Sequence, residues 1–65
     1  MNTLELYEAL TTDHLMFSLE PGNASRTKFA IEMIHKINSL DLNLLNPEQV
    51  KMVESIKAEV SEFLL

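Results

Sequence analysis

The stretch Asn46-Pro47-Glu48-Gln49 decides the fold of this chain, because it has the pattern of a helix start. Asparagine is a preferred N-cap, proline is favoured at the first helical position, and a glutamine three residues after the cap can bond back to the cap backbone. We therefore predict a helix over residues 47–64. Apolar residues recur in it at steps of three and four, which is the spacing of one helix face. They are Val50, Val53, Ile56, Val60 and Phe63, flanked by Met52 and Leu64.

A second helix is predicted over about residues 24–40. It follows the turn pair Pro21-Gly22, and Asn23 or Ser25 is its expected N-cap. Its apolar positions again share one face, opposite a polar face, as in an amphipathic helix. They are Ala30, Met33, Ile34, Ile37 and Leu40.

The link between these two helices, residues 41–46, is short enough to make them antiparallel neighbours. We therefore expect a C-terminal antiparallel helical hairpin. The link carries Leu42, Leu44 and Leu45, which we expect to fold back under the hairpin.

The first twenty residues allow two interpretations. Asn2-Thr3-Leu4-Glu5 has the pattern of a capping box, which predicts a helix start near Thr3. Thr11-Thr12-Asp13 offers a second cap, so the segment 3–19 is either one helix or two short helices with a break near residues 11–12. We favour one continuous helix with a weak point at the threonines. The predicted fold class is thus all-α: a single small helical bundle over residues 1–65, with one or two N-terminal helical segments before the hairpin.

Length and composition limit what such a chain can be. It has 65 residues, 46% of them hydrophobic, and no cysteine. A multidomain enzyme, a disulfide framework and a thiolate zinc site are all excluded. A core of this size supplies only about 3 to 5 kcal/mol of net stability, so oligomerisation is the expected additional source, and we predict a homodimer first.

The charge balance is acidic, with five Lys and Arg against ten Asp and Glu, a formal net charge of −5. An acidic chain is not attracted to phosphate backbones or to anionic lipid, so nucleic acid is a disfavoured partner and a membrane is not expected. The N-terminus lacks the basic and apolar regions of a secretory signal, and no stretch has the length of a membrane span. We therefore expect the cytoplasm.

Apolar side chains exceed what a three-helix unit can bury, which predicts an intermolecular surface. We expect self-association or partner binding through apolar side chains of the last two helices. They are Ile34, Ile37, Met52, Val53, Ile56, Val60, Phe63 and Leu64. The predicted function is a small acidic, non-catalytic protein–protein interaction module, acting as a regulator, inhibitor or assembly adaptor by helix-face docking. Phage, plasmid and stress-response systems use many such chains, so a phage origin is one interpretation.

The alternative is a dimeric DNA-binding transcriptional regulator. Polar and basic residues follow the Pro21-Gly22 turn, at the start of the second helix, where a helix can meet a phosphate or a DNA groove. They are Asn23, Ser25, Arg26 and Lys28. The flanking segments are acidic, which favours a capped helix start or contact with an acidic protein partner over DNA.

Two short patterns resemble parts of catalytic or metal sites. Glu32 and His35 have the three-residue spacing found in di-iron bundles, but a complete site needs a second such pair and bridging carboxylates. We interpret them as a solvated face, which would hold metal only if two chains met across it. Asp13-His14 lacks a nucleophile at a recognisable spacing. We predict no catalytic residue, no metal ligand and no cofactor.

Overall fold

The computed structural model describes residues 2–65 and is all-helical, which confirms that the fold is all-α. Its elements are α1 (Thr3–Leu19), α2 (Asn23–Ser39), a 3₁₀ turn (Leu42–Leu44) and α3 (Pro47–Leu64). No strand occurs within these residues. The radius of gyration is 11.3 Å, so the helices are folded onto one another.

Helix α1 begins at a side-chain cap and continues without a break. The Oδ1 atom of Asn2 accepts a hydrogen bond from the backbone of Glu5 at 2.8 Å. The hydroxyls of Thr11 and Thr12 both donate to the carbonyl of Glu8, at 2.8 and 3.1 Å. Because these hydroxyls bond back into the preceding turn, they do not cap a second helix, and the segment 3–19 is one element.

Helix α2 begins at Asn23, with Gly22 in the N-cap position and no side-chain cap. The expected cap at Asn23 or Ser25 is therefore wrong. The carbonyl of Gly22 already accepts the first helical bond from the backbone of Arg26 at 2.9 Å. Asparagine 23 thus lies inside the first turn, where its carbonyl accepts a bond from the Thr27 hydroxyl at 2.9 Å.

Helix α3 begins as its sequence predicts. The side chain of Asn46 accepts from the backbone of Gln49, and the side chain of Gln49 accepts from the backbone of Asn46, both at 2.9 Å. Proline 47 occupies the first helical position. This reciprocal capping box satisfies two backbone donors that the helix itself leaves unbonded.

Each of the three helices contributes side chains to the core. Leucine 10 and Phe17 come from α1, three residues come from α2, and three come from α3. The α2 and α3 members are Ala30, Met33, Ile37, Val53, Ile56 and Val60. Contact between α1 and α2 is the most extensive of the three helix pairs, so these two helices form the base on which α3 packs.

The link between α2 and α3 contributes less to the core than expected. Only Leu45 packs against the core, while Leu42 and Leu44 are exposed. The reason is the 3₁₀ turn, which directs successive side chains around its axis and lets only one face meet the bundle. The backbone of Asp41 donates to the buried hydroxyl of Thr3 at 3.1 Å, which ties the link to the start of α1.

Candidate interaction surface

The residues predicted to form an interface lie in three different environments. Ile37, Val53, Ile56 and Val60 are in the core of the single chain, and Ile34 and Phe63 pack half-buried against that core. Only Met52 and Leu64 are exposed. The amphipathic stripe of α3 is therefore covered by the chain's own helices, and it offers a partner two side chains.

These two exposed side chains do not form one surface. Met52 and Leu64 are twelve residues apart, which places them about 120° apart around α3 at about 100° per residue. They lie on opposite edges of the buried stripe. A partner covering one of them would not cover the other.

Arg26 has a structural role that the sequence did not reveal. Its Nε atom donates to the backbone carbonyl of Phe17 at 3.2 Å. The guanidinium carbon lies 4.3 Å from the centroid of the Phe17 ring and 4.7 Å from that of Phe63. The two rings meet edge to face, with centroids 5.1 Å apart. Arg26 therefore joins the end of α1, the start of α2 and the end of α3.

The remaining members of the predicted nucleic-acid surface are Asn23, Ser25 and Lys28, which are all exposed. Arg26 and Lys28 are two residues apart on a helix, so they point about 160° away from each other. Since Arg26 is directed into the bundle, the structure does not bring the two cations together on one face. Lys28 is exposed and has no ion-pair partner among residues 2–65.

Asp13 and His14 point toward different helices. The Oδ2 atom of Asp13 lies 2.6 Å from Nζ of Lys36 on α2. The Nε2 atom of His14 lies 3.0 Å from Oε1 of Glu59 on α3. Both side chains fix α1 against its neighbours. They are not brought together as an acid–base pair.

Glu32 and His35 are both exposed on the outer side of α2. Within residues 2–65, no group of three or more His, Asp or Glu side chains has a geometry that could hold a metal ion. The structure therefore adds no further ligand to this pair.

The outward face of α1 carries large exposed aliphatic side chains. Leu4 is 54% exposed, Leu15 58% and Leu19 71%. At about 100° per residue, the three lie within about 60° of one another around the helix axis. Leu15 and Leu19 are about one turn apart, and Leu4 lies eleven residues before Leu15 on the same side of the helix. We name these three residues the α1 outer row.

The charges beside the α1 outer row are all negative. Glu8 lies within the same sector, and Glu5 lies at its edge. Both carboxylates are exposed, and neither has a cationic partner among residues 2–65. Helix α1 contains no Lys or Arg. The outer row thus has one carboxylate, Glu8, between Leu4 and Leu15, and a second, Glu5, on its flank near Leu4.

Comparison with protein-family models, curated proteins and solved structures found no match to this chain.

An open groove of about 620 Å³ lies between the end of α2, the 3₁₀ turn and α3, with Glu54 and Lys57 among its lining residues. None of the helices within residues 2–65 is long and apolar enough to cross a membrane.

Sequence reasoning missed the α1 outer row because apolar residues occur on every side of α1. A stripe of one periodicity shows which face is buried, whereas α1 has leucines both inside and outside, as Leu10 and Leu15 illustrate. The expectation that apolar side chains exceed what three helices can bury is confirmed. Leu15, Ile31, Met52 and Leu65 are exposed, whereas Leu6 is half-buried. The signal available in the sequence was a predicted helix whose apolar residues do not lie on one face.

Proposed function

We propose that this chain is a small acidic, non-catalytic protein–protein interaction module that docks on a partner protein through the α1 outer row. By docking it would regulate, inhibit or help assemble that partner. The observation that carries the proposal is the exposure of Leu4, Leu15 and Leu19 in one row. Aligned apolar side chains on a surface mark a site of interaction, whereas scattered ones do not.

The row is exposed on a helix that is firmly held from its other side. Leu10 and Phe17 of α1 are almost completely buried. Asp13 and His14 contact α2 and α3 through Lys36 and Glu59. The outer leucines are more than half exposed, so a large part of each side chain is available to a second molecule.

The arrangement of α2 and α3 as an antiparallel hairpin belongs to the same proposal. It is supported by the contact of Arg26, at the start of α2, with Phe63, at the end of α3. In this arrangement the hairpin is the scaffold, and α1 lies across it as the docking element. We keep the cytoplasm as the proposed location.

Self-association stays a prediction, and its proposed surface changes. Four of the residues expected to mediate a dimer are core residues of one chain, so a dimer would use the α1 outer row or the separated side chains Met52 and Leu64. DNA binding is the weaker alternative, since Arg26 is engaged with Phe17 and Phe63.

The proposal is tested by site-specific photo-crosslinking in cells that make the protein. A photoreactive residue in place of Leu15 or Leu19 should capture one discrete protein. The matched control is Ile31, an aliphatic residue of α2 that is also exposed, at 47%. Crosslinks of equal yield from position 31, or no discrete product from positions 15 and 19, would contradict docking through α1.

A further inference from the structure

We infer that the α1 outer row binds a basic amphipathic helix of the partner protein. This inference rests on the proposed function and adds the chemistry of the partner. It is argued from the shape of the row, from the sign of its charges and from the poor fit of a second copy of this chain.

The shape of the row favours a helical partner. From Leu4 to Leu19 the row spans fifteen residues, or about 22 Å at 1.5 Å per residue. Its three leucines lie on one side of one straight helix, with Glu8 between Leu4 and Leu15, and the face of another helix can lie along this side. A partner helix of about four turns would cover all three leucines.

The charges of the row favour a basic partner, and they also favour one orientation. The carboxylates Glu5 and Glu8, which have no cationic partner among residues 2–65, lie at the N-terminal end, while Leu15 and Leu19 lie at the C-terminal end. The partner therefore needs Lys or Arg at one end of its helix and apolar anchors at the other. Basic residues are stabilised near a helix C-terminus, so a partner that runs antiparallel to α1 satisfies both requirements.

A second copy of this chain fits the row less well. If two α1 helices paired antiparallel about their centres, Glu8 of one copy would lie opposite Leu15 of the other. If they paired in parallel, Glu8 would face Glu8. Either arrangement covers a carboxylate without supplying a cation, which is unfavourable in a desolvated contact. Lysine or arginine from a different protein removes that conflict.

The inference is tested with synthetic helical peptides of defined pattern. The first carries three leucines at the positions that face Leu4, Leu15 and Leu19 in an antiparallel pairing, with lysines in its C-terminal half, one of them at the position that faces Glu8. The second replaces each lysine by glutamate. The third keeps the composition of the first but scatters the leucines around the helix. Binding is followed by fluorescence anisotropy, and the contact is mapped by amide chemical-shift changes on the full chain.

The first peptide should bind, with chemical-shift changes confined to the outer sector of α1. Its affinity should fall as the salt concentration is raised. The second and third peptides should each bind at least about tenfold more weakly. Leu15→Ser with Leu19→Ser should lower the affinity for the first peptide by about tenfold or more, whereas Ile31→Ser should change this affinity by less than about twofold. Glu5→Gln with Glu8→Gln should remove most of the salt dependence.

Equal binding of the first and third peptides would overturn the inference, as would equal effects of the α1 and α2 variants. It is also overturned if the chain forms a dimer that Leu15→Ser with Leu19→Ser dissociates, because a second copy would then occupy the row. Circular dichroism of every variant verifies that the fold is intact. If photo-crosslinking at position 15 captures a protein through an acidic or non-helical segment, the inference fails while the proposed function stands.

Discussion

Replacing Arg26 by alanine separates the structural role of this residue from a role in nucleic-acid binding. In the structure the Arg26 side chain satisfies the carbonyl of Phe17, in the last turn of α1, where a helix has no internal donor left. It also lies against the faces of Phe17 and Phe63. Alanine removes the hydrogen bond and both ring contacts at once.

The expected loss can be worked from these contacts. A cation–π contact at a partly exposed site contributes about 0.5 to 1 kcal/mol, so the two rings account for about 1 to 2 kcal/mol. The hydrogen bond adds about 1 kcal/mol. Because Arg26 is only partly buried, we take the lower part of this range and expect about 2 kcal/mol. That is about half of the 3 to 5 kcal/mol that a core of this size supplies.

The assay is urea unfolding followed by circular dichroism at the helix band. With an m-value of about 1 kcal/mol/M for a small protein, the Arg26→Ala midpoint should fall by about 2 M. The matched control Lys28→Ala removes an exposed positive charge two residues away and should change stability by less than about 0.5 kcal/mol. Arg26→Lys should recover only part of the loss, because an ammonium lacks the planar group that stacks on both rings. Equal effects of Arg26→Ala and Lys28→Ala would refute the structural role assigned to Arg26.

Three further outcomes are expected. Asn46→Ala removes the capping box of α3 and should cost about 1 kcal/mol, seen as a lower urea midpoint and as faster amide exchange in the first turn of α3 alone. Leu10→Ala removes a fully buried side chain and should cost about 2 to 5 kcal/mol, which lowers the urea midpoint by about 2 M or more; a fall of less than about 1 M would contradict the assigned core. Leu15→Ser with Leu19→Ser should change the free energy of unfolding by less than about 0.5 kcal/mol, and a larger loss would show that these leucines stabilise the fold.

The sequence predicted the helices of this chain well because their determinants are local. The capping box at Asn46 and Gln49 and the proline between them define the start of α3 from four consecutive residues. The same is true of the Asn2 cap of α1. Such signals act within one helical turn, so no knowledge of the tertiary structure is needed to read them.

The sequence did not predict which apolar faces are covered. Periodicity identified Val53, Ile56 and Val60 as one face of α3, and the structure shows that α1 and α2 cover this face within the same chain. An apolar stripe requires a cover, but the stripe itself does not specify whether that cover is intramolecular. Arg26 shows the same limit for a polar residue, because its partners are nine and thirty-seven residues away. Only the folded structure brings them together.

Helix α1 separates the residues that form the fold from those that we propose bind a partner. Its inner side is fixed by Leu10 and Phe17, and nothing in the bundle requires leucine at positions 15 and 19 on its outer side. Helix α3 shows the usual alternative, since the positions opposite its buried stripe are mostly charged or small, as Lys51 and Ala58 illustrate. A helix that only supported the bundle would be expected to follow the α3 pattern, because an exposed leucine does not contribute the free energy of apolar burial to stability. The different composition of the α1 outer row therefore supports the proposal that α1 docks on a partner.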